Sequence, residues 1–161
     1  MEKLTALSRA KYIIDASSIL SQNPTEKHRR HVQKSLWEKI DSYIHDGIIV
    51  TCSEVAGEIK DKDIKSRLQE LGCVELLIDD EIQLNVRKIV TDVPNMIEFT
   101  PNNSGSSSGD AFLIATAMKY GLTVITEENK DKRYKIPQIC KRYGIEAIDI
   151  LMFCEKESWS F

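Results

Sequence analysis

Short runs of consecutive apolar residues alternate along this chain with longer stretches in which apolar positions recur every three or four residues. Residues 12–14 (Tyr-Ile-Ile), 48–51 (Ile-Ile-Val-Thr) and 122–126 (Leu-Thr-Val-Ile-Thr) are runs of the first kind. They are short and apolar on both faces, the pattern of strands buried inside a parallel sheet. Residues 145–148 make another such run, and residues 74–78 read either as a strand or as a buried link. The helical stretches lie between them. Val32, Leu36, Ile40 and Tyr43/Ile44 form a single stripe, thickened by Trp37, which predicts a helix over residues 26–46 that stops at Gly47. Ser53 is a candidate N-cap for a helix carrying Glu54, Val55, Glu58 and Ile59. Further helices are predicted over 61–71, closed by Gly72, and over 79–90, before Pro94. Residues 110–120 are apolar nearly all round, as expected of a helix buried on most sides. Residues 136–143, with Pro137 in the first turn, and a last stretch from Asp149 complete the series. Strands that alternate with helices imply parallel strands joined by right-handed crossovers, an α/β fold.

The polar positions punctuate this pattern. Residues 21–25 and the Ser/Gly-rich run 100–109 have loop composition, and the second is too short to divide the chain, so residues 1–161 read as a single domain. Residues 1–10 read as a short helical or frayed extension. No apolar run approaches the roughly 20 residues of a membrane span, and the start of the chain has no signal-like apolar core, so a cytoplasmic protein without a membrane partner is expected. Cys52, Cys73, Cys140 and Cys154 are widely spaced among apolar neighbours, without a CxxC pair, and are expected to be small core residues. The formal net charge of -3 argues against a general nucleic-acid coat protein but not against a nuclease, since an acidic site lowers the net charge by itself.

The candidate chemistry lies in the acids placed against these elements. Asp15 follows the first strand, Glu127 and Glu128 follow Val124–Thr126, Glu54 and Glu58 follow the second strand, and Asp110 stands where the serine-rich run meets a helix. The carboxyl ends of parallel strands share one edge of the sheet, where open α/β folds bind their ligands. Converging carboxylates raise one another's pKa unless a cation neutralises them. An all-oxygen donor set favours Mg²⁺ or Mn²⁺ over zinc and suits phosphodiester hydrolysis. Each acid also has a plainer reading: Asp15, Asp110 and Glu54 as helix caps or first-turn charges, Glu127 and Glu128 as solvated loop charges. The histidines His28 and His31 are read as lying on a solvent face, and Trp37 as core. Lys130, Lys132, Arg133 and Lys135 are either RNA-phosphate contacts or a solvated charge run.

Ile13-Ile14-Asp15-Ala16-Ser17, Val55-x-x-Glu58-Ile59, Gly109-Asp110-Ala111 continuing to Ala117, and Thr123-Val124-Ile125-Thr126-Glu127-Glu128 resemble the ordered motifs of the PIN-domain nucleases. The tail from Lys135 through Ile148 resembles a PIN-like family known only as a domain of unknown function. The resemblance implies a three-layer α/β/α sandwich with a central, mostly parallel sheet. It implies a Mg²⁺- or Mn²⁺-dependent ribonuclease, in many relatives the toxin of a toxin–antitoxin pair. Carried over by position, Asp15, Glu58, Asp110 and Glu128 would be both catalytic and metal-binding. Ser17 would orient Asp15, Thr126 would play a similar supporting part, and Lys130, Lys132 and Arg133 would hold substrate. The fourth acid is Glu128 by its spacing after Thr126, with Glu127 as the alternative. The implied partners are RNA, a small antitoxin protein and a second copy of the chain. Two rivals stand beside this reading: a catalytically inactive protein- or RNA-binding module on the same fold, and a phosphatase or phosphoacceptor domain with Asp15 as nucleophile. The second is weakened because no aspartate stands at position 17.

Overall fold

A computed structural model describes residues 9–94, 108–132 and 134–161. The chain forms β1 (Tyr12–Ile14), α1 (Ala16–Leu20), α2 (Lys34–His45), β2 (Ile49–Cys52), α3 (Ser53–Glu58), α4 (Lys62–Leu71) and β3 (Glu75–Leu76). There follow α5 (Asp80–Asp92), α6 (Ser108–Tyr120), β4 (Thr123–Ile125), α7 (Ile136–Arg142), β5 (Ala147–Ile148) and α8 (Ile150–Lys156). The five strands make one parallel sheet in the order β3-β2-β1-β4-β5. It is covered by helices on both faces, a three-layer α/β/α sandwich.

Strand alternation divides the core in two. Ile13, Val50 and Val124 face one side, where they pack with Val55, Ile82, Ile89, Leu113, Ile114 and Ile139 from α3, α5, α6 and α7. Tyr12, Ile14, Ile49 and Ile125 face the other side, with Leu36, Trp37, Ile40, Ile64 and Phe153 from α2, α4 and α8. The low amphipathicity of residues 110–120 has its cause here. Ala111, Leu113, Ile114, Ala115 and Ala117 are all buried, with α6 lying against α3, α5, α7 and the sheet. Among the described residues, no helix is long and apolar enough to cross a membrane. All four cysteines are free; Cys52, Cys140 and Cys154 are buried, and burial pushes the Cys52 thiol up to about 11.

Asp61, Asp79 and Asp149 cap α4, α5 and α8 by accepting backbone N–H bonds, and Gly72 closes α4 in the left-handed conformation at φ +68°. Three expectations are corrected. Residues 26–33 are not helical, and α2 begins only at Lys34. That segment folds back on itself instead. His28 N–H donates to the Ser21 carbonyl, Arg30 N–H donates to that of Gln22, and the Arg30 guanidinium grips Asp41 with two bonds of 2.7 and 2.9 Å. Val32, expected on the apolar stripe, is therefore exposed. Ser53 is not a cap but the first helical residue of α3, after Cys52 in the cap position. His28 is not on a solvent face: it is buried, and of these two histidines His31 alone is exposed. The serine-rich run, up to residue 107, lies outside the described residues.

Candidate functional site

In chain order β1 to β3 extend the sheet in one direction, and β4 and β5 then extend it from the other side of β1. The reversal falls between β1 and β4, and the crevice at their carboxyl ends is the ligand position of doubly wound folds. Asp15 leaves β1 at this point, only 4% exposed. Its Oδ1 accepts the Ala16 N–H at 2.8 Å, so the helix-cap reading holds as far as it goes. Its Oδ2 accepts two hydroxyls from different strand ends, Ser17 Oγ at 2.6 Å and Thr126 Oγ1 at 3.0 Å. Those hydroxyls are fixed in turn by the main chain, Glu127 N–H donating to Ser17 Oγ and Glu128 N–H to Thr126 Oγ1, both at 3.1 Å. A cap needs none of this apparatus.

Asp110, in the first turn of α6 and 6% exposed, faces Glu128, Asp15 and Glu58. Burial, then the charges of Glu128 and Asp15, push its carboxyl up to about 8. Glu128 is also raised, by burial and then by Asp15, against the pull of the Ile136 amide and Lys135. Asp110 and Glu128 are thus coupled, and both carboxyls are raised. Asp15 is raised as well: burial outweighs its hydrogen bonds to Ser17, Thr126 and Ala16. Glu58, half-buried at the end of α3, accepts the Gly109 N–H at 3.1 Å. A Cβ at position 109 would stand 2.4 Å from Glu58 Oε1, so the glycine is what lets this carboxylate lie against the start of α6.

The structure brings Asp15, Asp110, Glu128, Ser17 and Thr126 together, with Glu58 beside them. Glu54 is exposed and stands apart. The two adjacent glutamates after β4 diverge. Glu128 turns to Asp110, while Glu127 turns away and accepts the Ile150 N–H at 3.0 Å and stands 3.2 Å from His28 Nε2. Burial would raise Glu127, but its contacts with His28 and the Ile150 amide, and the charge of Lys27, leave it lowered. His28 is the residue missed in the sequence, where a histidine inside a predicted surface helix gives no sign of burial. Lys130 and Lys132 are exposed beyond Glu128; Arg133 lies outside the described residues. Lys27, Thr126, Glu128, Asn129 and Lys130 line a cavity of about 350 Å³ next to the acids.

As donors, Asp15, Asp110, Glu128 and Glu58 are hard oxygens without nitrogen or sulfur, a set that fits Mg²⁺ or Mn²⁺. Burial first, and then the charges of Glu128 and Asp15, disfavour the ionised form of Asp110, and a cation among these oxygens would offset the second of these causes. Among the described residues, no three Asp, Glu, His or Cys side chains already stand in a metal-holding group.

No curated protein matches the sequence. The crystal structure of PAE2754 from Pyrobaculum aerophilum is similar in fold, with a TM-score of 0.53 over 93% of this chain and 90% of that one, at 12% identity. A family model matches residues 12–161, from the first strand through the last helix, and the chain belongs to that family, the domain of unknown function DUF4411.

Proposed function

We propose that this protein is a metal-dependent ribonuclease of the PIN type, hydrolysing RNA phosphodiester bonds. The observation that carries the reading is the convergence of Asp15, Asp110 and Glu128 at the switch between β1 and β4, where burial and then the neighbouring charges push the Asp110 carboxyl up to about 8. The motif order described above supports RNA as substrate. Asp15, Asp110, Glu128 and Glu58 would hold Mg²⁺ or Mn²⁺. When bound, such an ion lowers the pKa of water and offsets charge on a phosphoryl oxygen.

The chain's own part is orientation. Ser17 and Thr126 donate to the same oxygen of Asp15, fixing that carboxylate at the strand end. Asp110 would have to lose its proton for its carboxylate to hold such an ion. The Ile136 amide holds one oxygen of Glu128 at 3.3 Å. Lys27 and Lys130, at the mouth of the adjoining cavity, attract the phosphates flanking the cleaved bond.

A toxin role, with a small antitoxin partner, a homodimer and a cytoplasmic location, belongs to the same reading; a neighbouring gene for a small DNA-binding protein would support it. Asp15→Asn and Asp110→Asn are each expected to reduce RNA cleavage in Mg²⁺ or Mn²⁺ by at least 100-fold. Undiminished cleavage in both would sink the assignment. One observation favours a second reading, a non-catalytic binding module: the Asp110 and Glu128 carboxyls are both raised, so protonation can relieve their repulsion without any cation. Titration of the wild-type chain with Mn²⁺ separates the two, since only the nuclease requires binding.

A further inference from the structure

Glu127 is half-buried beside the acid site yet directs neither oxygen into it. Its Oε1 accepts the Ile150 N–H at the start of α8 and meets His28 Nε2 at 3.2 Å, while Lys27 lies 3.7 Å from Oε2. His28 Nε2 stands against this carboxylate without an aligned hydrogen bond to it. His28 itself is held from three sides. Its N–H donates to the Ser21 carbonyl at 2.9 Å, its carbonyl accepts Trp37 Nε1–H at 2.6 Å, and its Nδ1 lies 3.3 Å from Gln33 Oε1. A surface loop does not need a histidine that is 2% exposed and held at its main chain and at Nδ1. The main chain of the glutamate it meets is engaged as well: Glu127 N–H donates to Ser17 Oγ, which donates to Asp15, and the next residue is Glu128. A continuous path of contacts therefore runs from His28 through Glu127 and Ser17 to Asp15, with Glu128 carried on the same turn.

We propose that His28 and Glu127 are a positioning pair that sets the cation affinity of the acid site by fixing the 126–128 turn. This rests on the metal-site reading above and adds to it two residues that touch neither cation nor substrate. It also assigns a role to the non-helical course of residues 26–33, which is what delivers His28 to the end of β4. Partners that orient ligands from behind typically contribute a factor of about 10–100 in metal affinity.

The test is calorimetric titration of Mn²⁺ into the full chain and its variants, with thermal melts of each in EDTA. His28→Ala and Glu127→Ala are each expected to weaken Mn²⁺ binding by about tenfold or more. The double variant should be no weaker than the worse single one, because both act through one contact. His28→Gln, whose side-chain amide can keep a polar contact with Glu127, should recover most of the affinity. If wild type binds Mn²⁺ and both alanine variants bind it equally well, whatever their melting temperatures, the positioning pair is overturned and the metal site stands. If wild type binds no Mn²⁺, both fall.

Discussion

Asp110 carries the clearest consequence at the scale of a single residue. Its carboxyl titrates at about 8 in the folded chain and near 4 when unfolded, so between those values the folded state binds the extra proton. Stability of the metal-free protein must then fall as pH rises from about 4 to about 8. Asp110→Asn removes the ionisation. In EDTA at pH 8 the variant should melt higher than wild type, by about 1–3 kcal/mol, the usual scale of such relief, and its pH dependence over this window should flatten. Equal slopes for the two proteins would show that Asp110 ionises freely. Gly109 permits a separate test. An alanine there drives its Cβ into the flexible end of Glu58 rather than into backbone. Gly109→Ala should therefore cost no stability, helix propensity favouring it by up to about 1 kcal/mol, while Mn²⁺ affinity drops about tenfold as Glu58 is displaced. Loss of both together would mean that the glycine serves packing. Glu58, at the end of α3, is reached through the motif resemblance, but Asp15, Asp110 and a glutamate after β4 were legible in the sequence because each follows a strand or opens a helix. The choice between Glu127 and Glu128 was not: adjacent side chains leave a turn in different directions, and only the partners decide which, Asp110 for one and His28 with Ile150 for the other.

At the scale of elements, the strands and most helices follow from local pattern, since apolar runs, aspartate caps and terminal glycines act over a few residues. The predicted helix over 26–46 fails in its first third for a reason the pattern does not contain. Val32 matches the helical stripe, but Trp37 binds the His28 carbonyl with its indole N–H and holds the preceding chain in a turn. Arg30 closes the arrangement over Asp41 and lies 5.2 Å from the Trp37 ring. A long-range hydrogen bond from a buried indole thus outweighs a helical register shared by one exposed valine. Trp37→Phe keeps the ring in the core and deletes the donor, leaving a buried carbonyl unpaired. The expected cost is about 1–3 kcal/mol, read as a lower urea midpoint at unchanged slope. A change below the error of the melt would mean that the turn is held by Arg30 and Gln22 instead.

At the scale of the whole molecule, the sheet order matters more than any one element. Residues 15, 58, 110 and 128 are far apart in sequence, and they meet because β1 is central and β4 joins it on the side opposite β2. Such a gathering opposes folding unless protons or cations neutralise it, and the two compete for the same oxygens. The competition has a definite sign. Below about pH 8 the site must release the proton of Asp110 before that oxygen can bind a cation, so Mn²⁺ affinity should climb by about tenfold per pH unit from pH 6 towards 8, then level off. The same titration in two buffers of different ionisation enthalpy should report about one proton released per Mn²⁺ at pH 6.5 and fewer at pH 8.5. In Asp110→Asn the slope should be lost together with most of the affinity. A wild-type affinity that is flat from pH 6 to 8 would show the cation binding without Asp110, and would reduce the cluster to the charges of Asp15, Glu128 and Glu58.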